Sequence, residues 1–373
     1  MKISLLSVAP PYRGGISEQT YHLYNQLKDN HSVNIINFKR QYPTLLFPGK
    51  TQYDKTSLKK QDQNYRIIDS INPFSWIKAV KFIKKSSPDL IVIRFWNPFF
   101  ALCHSYIIRK VKKELQGTKV VCICDNIIPH EKHFYDIPLI KKLFKHIDAF
   151  IVMSITVEEQ LRDIISKPNY KKIFHPVVTN MDMPLKEESK ARIGVTGKKV
   201  ILFFGLIREY KGLDILIKAN KYLQEKLSNY QILICGESYQ DQDIYNKLIK
   251  EHSKNNEIRW INEYIPDSEV STYFSASDIV VLPYRHASQS GIIPLAYSYQ
   301  RPVVASDIKG IQEMVANQKT GFLFEKNNPE ALSESIVDFF SNKKKYNEDI
   351  IDFRKQFSWN YFIEEVLDLY KSL

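Results

Sequence analysis

Residues 3–9, 33–38, 90–95, 120–124 and 149–153 are short, nearly unbroken apolar runs, the pattern of strands buried on both faces. Between them, in 18–28, 76–85 and 105–115, apolar residues recur every three or four positions, which predicts helices laid against a sheet. Strands alternating with helices predict a parallel, doubly wound α/β sheet. The rhythm starts again at 200–204 and runs through 230–235, 258–260, 279–282 and 302–305, so a second Rossmann-like sheet is expected. Residues 175–184 lack periodicity and carry Pro176 and Pro184, as a linker does. The expected domains are therefore 1–180 and 181–356, with the last periodic segment, about 357–373, packing back on the first.

A length of 373 residues agrees with two cores rather than one, and 44% apolar with 25% charged residues is a globular composition. No apolar run approaches the ~20 residues needed to span a bilayer. Met1 to Leu6 leads straight into the first strand without a cleavage pattern, so a cytoplasmic protein is expected. Cys103, Cys122, Cys124 and Cys235 sit in apolar surroundings without metal-ligand spacing and read as buried thiols.

Charge is unevenly divided. Residues 1–180 hold 28 Lys and Arg against 14 Asp and Glu, whereas 181–373 hold 25 against 27. The positive surplus belongs to the first half, which points to an anionic partner such as an acidic membrane surface, or else to a solvated basic face. The stretch 40–64 fits neither period. Its Tyr42, Leu45, Leu46 and Phe47, with Lys78, Lys81, Lys84 and Lys85 on the next helix, suit either insertion among lipid headgroups or a loop folded on its own domain.

Four places carry candidate chemistry. The run 203–212 ends a strand in a tight turn: Gly205 lets a ligand approach the backbone, and Arg208 and Lys211 offer cations suited to a diphosphate. An ordinary turn with solvated cations has the same sequence. Gly14 and Gly15 follow the first strand and precede a helix whose cap is expected at Ser17. They lack the third glycine of a dinucleotide fingerprint, which disfavours a nicotinamide enzyme. Asp125, His130 and Glu131 lie just past the 120–124 strand, where doubly wound sheets hold ligands and where His130 and Glu131 can orient a hydroxyl or stabilise charge. Gln289, Ser290, Gly291 and Ile292 lie between a strand and an apolar helix, where free N–H groups and a hydroxyl can meet phosphate oxygens, or simply cap the helix. No carboxylate pair at a strand end and no His/Cys cluster suggests a metal, so cations are expected in its place and no cofactor beyond the substrates. Nothing resembles a nucleic-acid-binding motif.

Taken together, Gly14-Gly15, 126–131, Gly205 to Gly212, Cys235-Gly236-Glu237, 277–283, 302–306 and Thr320-Gly321-Phe322 resemble the family-4 glycosyltransferases nearly end to end. The resemblance implies a GT-B fold, two Rossmann-like domains facing a central cleft. It also implies retaining, metal-independent transfer of a hexose-type sugar from a nucleotide-diphosphate sugar held mainly by the second domain, with Gly236 and Glu237 among its contacts. Arg208 and Lys211 would then neutralise the leaving diphosphate. Members usually carry two glutamates eight positions apart near 287–295; here they are Ala287 and Leu295. The chain resembles instead a subset with Thr/Ser-Gln-Ser-Gly in that place, making Gln289, Ser290 and Gly291 the substitutes. That subset commonly starts its first-domain motif with His, and this chain has Asp125, so the reading leans on His130 and Glu131. The acceptor would be lipid-linked or an oligosaccharide in surface glycan synthesis, with the protein peripheral on the inner membrane face. The missing glutamates suit, as an alternative, an inactive nucleotide- or glycan-binding subunit.

Overall fold

A computed structural model describes residues 1–43, 52–53, 63–129, 133–177, 183–238, 241–342 and 345–373. The chain divides into two units, residues 1–174 with 359–373, and residues 175–358. The break falls at 174/175, a few residues before the expected 180/181, because Val177 already pairs with Ser358 of the second unit.

Unit 1 contains β1 (Lys2–Leu6), α1 (Gly15–Lys28), β2 (Ser32–Arg40), β3 (Asn64–Asp69), α2 (Pro73–Ser86), β4 (Leu90–Phe95), α3 (Ala101–Glu114), β5 (Lys119–Cys124), α4 (Asp136–Phe144), β6 (Ala149–Val152), α5 (Ile155–Ile164) and β7 (Tyr170–Lys172). Its seven strands run parallel in the order β3-β2-β1-β4-β5-β6-β7. The central strands β1, β4 and β5 are buried on both faces, as the unbroken apolar runs require. One face is covered by α2, α3 and α4 through Trp76, Ile83, Ile107 and Leu143. Leu23 and Leu27 of α1 cover the other.

Unit 2 contains α6 (Lys186–Arg192), β8 (Lys199–Phe204), α7 (Leu213–Lys226), β9 (Tyr230–Cys235), α8 (Gln242–His252), β10 (Ile258–Ile261), α9 (Asp267–Ala276), β11 (Ile279–Leu282), α10 (Ile292–Ser298), β12 (Val303–Ser306), α11 (Lys309–Gln312), β13 (Gly321–Phe324), α12 (Pro329–Ser341) and α13 (Asn347–Phe353). Its six strands are parallel in the order β10-β9-β8-β11-β12-β13. The chain then returns to unit 1 as α14 (Trp359–Lys371), whose Trp359, Phe362, Val366 and Leu369 join the α1 side of the first sheet.

Local chemistry sets the helix starts. Asn72 accepts the Phe74 N–H at 3.0 Å with Pro73 in the first turn of α2, and Asn328 accepts the Ala331 N–H at 3.0 Å with Pro329 in the first turn of α12, satisfying donors that a helix leaves unpaired. Among the described residues no helix is long and apolar enough to cross a membrane.

Candidate functional site

The site is built where β8 and β11 end. These strands are hydrogen-bonded neighbours, Ile201 opposite Ile279 and Leu202 opposite Val280, so the loops that follow them emerge side by side at the carboxyl edge of the sheet, the edge where open α/β sheets hold ligands. Gly205 turns the first loop with φ +103, and its N–H donates to the Cys235 carbonyl at 2.9 Å. Gly236, on the neighbouring turn, approaches so closely that a Cβ would lie 2.2 Å from the Gly205 carbonyl oxygen. Ile207 N–H donates to the Glu237 carbonyl at 2.9 Å. The Glu237 side chain is exposed.

A single 3₁₀ turn, Glu209–Lys211, then brings Lys211 back over Gly205. The Lys211 Nζ would stand 3.1 Å from a Cβ at Gly205, and Ile292 Cδ1 3.6 Å from it. Gly205 and Lys211 of the loop after β8 and Ile292, some eighty positions on, therefore line one spot. Lys211 is half-buried, its ammonium 5.9 Å from the centre of the Tyr284 ring. Burial, and then the Arg208 charge, push its pKa down to about 8. Arg208 is exposed at the entry to the turn.

A residue not singled out as a site residue from the sequence joins the two loops. Arg285 Nη2 lies 2.8 Å from both carboxylate oxygens of Asp214, its Nη1 donates to the Glu209 carbonyl at 2.8 Å, and its backbone N–H donates to the Tyr210 carbonyl at 2.7 Å. Such a two-pronged guanidinium contact fixes geometry as well as charge. The available signal was an Arg just past one strand and an acid in the first turn of the helix after another. Gly212 (φ +65) completes the clamp, since a Cβ there would lie 2.0 Å from the Pro283 carbonyl oxygen.

The Ser290 hydroxyl accepts the Ile292 N–H at 3.2 Å and hydrogen-bonds the buried Tyr284 hydroxyl. The Ser290 hydroxyl thus ties the start of α10 to Tyr284, whose ring centre lies 5.9 Å from the Lys211 ammonium. Gly291 is the N-cap, and Gln289 Oε1 is buried without a hydrogen-bond partner beside it.

In unit 1, Gly14 (φ +110) is itself the N-cap of α1, and the space beside Gly14 and Gly15 is open. The expected cap, Ser17, instead sits inside the first turn, buried, its Oγ without a partner. Helix α1 begins three residues earlier than the polar signal suggested, because the glycine takes a conformation that Ser would resist. Asp125 is held by buried Arg94: Nε donates to Oδ2 at 3.0 Å and Nη2 pairs with Oδ1. A carboxylate so engaged is fixed in place. His130 and Glu131 lie outside the described residues, as do Leu45, Leu46 and Phe47. Tyr42 turns inward, its ring 5.5 Å from Phe99 and 5.0 Å from Phe100, so it is a packing residue and not a headgroup anchor. Beside it a cavity of about 480 Å³ is lined by Tyr12, Tyr53, Phe74, Lys39, Arg40 and Lys78, among others. Among the described residues, no group of three His, Cys, Asp or Glu is placed to hold a metal ion.

Residues 186–356 match the family "Glycosyl transferases group 1". A D-inositol 3-phosphate glycosyltransferase of Corynebacterium glutamicum is 24% identical over 245 residues, 60% of this chain and 58% of that protein. The chain thus spans less than two thirds of the length of the curated relatives it first matches. Among solved structures, a glycosyltransferase from Rickettsia africae superposes with a TM-score of 0.76 at 20% identity, over 100% of this chain and 98% of that one. Anabaena HepE in complex with UDP superposes with a TM-score of 0.75 at 16% identity over the whole of both chains. Two parallel sheets with alternating helices are the GT-B architecture that this chain shares with these neighbours, and residues 186–356 are similar to the group 1 glycosyltransferases.

Proposed function

We propose that the protein is a retaining, metal-independent glycosyltransferase that moves a hexose-type sugar from a nucleotide-diphosphate donor to a lipid-linked or oligosaccharide acceptor. The observation that carries this reading is the convergence of Gly205, Lys211 and Ile292 where β8 and β11 end. A diphosphate seated there meets a cation whose pKa of about 8 leaves it mostly charged at neutral pH. Arg208 supplies a second cation from the rim. Departure of the nucleoside diphosphate concentrates negative charge on its terminal phosphate, so both cations bind the transition state more strongly than the intact donor, which is what accelerates the step. Arg285 acts as a positioning residue: tied to Asp214 and to the backbone at 209–210, it sets where the Lys211 turn sits against the α10 loop.

Unit 1 is the acceptor side in this reading. Its cavity near Tyr12 joins aromatic faces, on which sugar rings stack, to Lys39 and Lys78, which suit a phosphate-linked acceptor. Similarity to a protein solved with UDP supports a nucleotide donor.

The test is a panel of nucleotide sugars incubated with purified protein and a lipid-diphosphate acceptor. Transfer, or slow hydrolysis of one donor without acceptor, is expected. Replacing Lys211 with Ala should lower the rate by ~10²-fold or more, as loss of one preorganised charge donor does. Absence of both transfer and hydrolysis across the whole panel would overturn the proposal.

A further inference from the structure

The loops that precede β8, β9 and β10 meet at the amino edge of the second sheet, the edge opposite the Gly205 turn. The six residues of β9 separate the two edges, about 20 Å at ~3.3 Å per residue. Between these loops and the end of α7 lies a cavity of about 580 Å³, lined by Lys198, Lys221, Gln224, Asn229, Lys254 and Asn255, among others. That is within the size range of small-molecule sites, roughly 300–1,000 Å³.

Its polar walls are held by bonds made behind them. Gln231 is buried; its Nε2 donates to the carbonyls of Asn256 at 3.0 Å and Glu257 at 2.8 Å, and its Oε1 accepts from Lys198 Nζ at 2.9 Å. Buried Glu257 accepts the Ser253 hydroxyl and the Asn255 N–H, both at 3.0 Å. Three amides spend their NH2 groups in the same way. Gln224 donates to the His252 carbonyl at 3.1 Å, Asn229 to the Gly197 carbonyl at 2.8 Å, and Asn255 to Glu257 Oε1 at 3.1 Å. Each of those partners can only accept, so the NH2 must face it and the amide oxygen must face away. Among the described residues nothing donates to these three oxygens.

Charge at the rim is positive. Lys221 and Lys254 are exposed, and neither has an acid partner among the described residues. Of the two carboxylates that line the cavity, Glu257 is already engaged and Glu225 alone is exposed. A ligand matched to this wall needs hydroxyls to donate to the amide oxygens and a negative charge for the two ammonium groups. Inorganic phosphate meets the cations but has no ring of hydroxyls for the oxygens; a neutral sugar does the reverse. A nucleotide brings a flat base, but Tyr230, the aromatic residue in the lining, is buried with its hydroxyl bonded to Asn220 at 2.7 Å, so no open ring is offered for stacking.

We propose that the amino edge of unit 2 holds a second binding site, for a saccharide bearing a phosphate or carboxylate group. Lys221 and Lys254 take the anionic group, and Gln224, Asn229 and Asn255 accept hydroxyls. The site goes beyond glycosyl transfer and does not rest on it, so failure of the donor panel leaves it standing.

Isothermal titration calorimetry of the full chain with glucose 6-phosphate, glucuronate, glucose and inorganic phosphate tests it. At least one of the two anionic sugars is expected to bind, about tenfold or more tighter than glucose or phosphate, and which one binds tells a phosphorylated saccharide from a uronic one. Changing Lys221→Gln and Lys254→Gln together should weaken that binding by about tenfold or more, the usual size of lost contacts to a charged group. Asn229→Gly, which suits the left-handed backbone there (φ +53), should weaken it by roughly fivefold. Lys211→Ala, at the opposite edge, should leave it unchanged. Lys221, Lys254 and Asn229 are exposed, and a thermal melt confirms that each variant is folded. No binding of either anionic sugar overturns the proposal, as does binding that survives the double lysine change. Inorganic phosphate bound as tightly as the anionic sugar would leave the amides without a role, and loss of binding in Lys211→Ala would place the sugar at the diphosphate turn; either result overturns it equally.

Discussion

Lys211 combines a functional gain with a structural cost in one side chain. Its pKa is depressed to about 8, first by burial and then by Arg208, whereas in the unfolded chain it is near 10.4. The unfolded state therefore binds more protons between about pH 8 and 10.4, and stability rises with pH across that window. Below pH 8 the cost of holding the buried charge is fully present. Lys211→Met keeps the bulk and removes the charge. The variant should melt higher than the parent at pH 7, and the difference should shrink steadily as the pH is raised from 8 towards 10.4. Binding of nucleoside diphosphates should be lost in the same variant, a trade between stability and function. Thermal melts with and without UDP or ADP at several pH values read both effects. A variant that melts lower at pH 7 and still binds would contradict the role given to this ammonium. Arg285 shows a different relation between a residue and the site: it acts by tying Asp214 to the 209–210 backbone.

At the scale of single elements, glycine positions separate what the fold needs from what the ligand needs. A Cβ at Gly236 would meet the Gly205 carbonyl at 2.2 Å, a backbone atom that cannot move without dragging β8. A Cβ at Gly205 would meet Lys211 Nζ at 3.1 Å, the free end of a flexible chain. Gly236→Ala should thus cost about 3 kcal/mol or more of stability through overpacking, while Gly205→Ala should cost only the ~1–3 kcal/mol of its strained φ and disproportionately weaken diphosphate binding. Urea unfolding beside binding titrations checks the contrast, and equal losses in both assays for both variants would erase it. The same close packing limits what a sequence discloses. Strands β4, β9 and β11 fall where their unbroken apolar runs predict, because both faces are buried. Strands β3 and β7 were missed: both lie at sheet edges, and Asn64–Asp69 and Tyr170–Lys172 are largely half-buried or exposed, so no continuous run marks them. The tight turn after β8 was legible from Gly205 and the polar run that follows it. Its tie through Arg285 to Asp214 was not, since the partners are 71 positions apart and only the pairing of β8 with β11 brings them together. Ser17 misled as a cap because polarity is local, whereas the φ of +110 at Gly14 is imposed by the exit from β1.

At the scale of the whole molecule, the chain leaves unit 1 at Phe174, completes unit 2, and returns at Trp359 to finish the core it left. Helix α14 buries Trp359, Phe362, Val366 and Leu369 with Leu23 and Leu27 of α1 and with Ile151 of β6. Its Glu365 pairs with Lys171 of β7 at 2.7 Å. The half-exposed ion pair contributes little, since solvent screens it; the apolar face contributes most. Phe362 is 1% exposed and packs 5.8 Å from the Trp359 ring. Removing its ring should cost ~3–5 kcal/mol, the usual cost of deleting a buried aromatic side chain. That loss belongs to unit 1 alone, because each unit has its own sheet and its own core. Urea unfolding of Phe362→Ala, followed by tryptophan fluorescence, should bring the transition of unit 1, reported by Trp76, Trp96 and Trp359, to lower urea. The transition of unit 2, reported by Trp260, should stay in place. If both transitions move by the same amount, the two cores are energetically one, and the return of α14 stabilises the molecule as a whole rather than the sheet it covers.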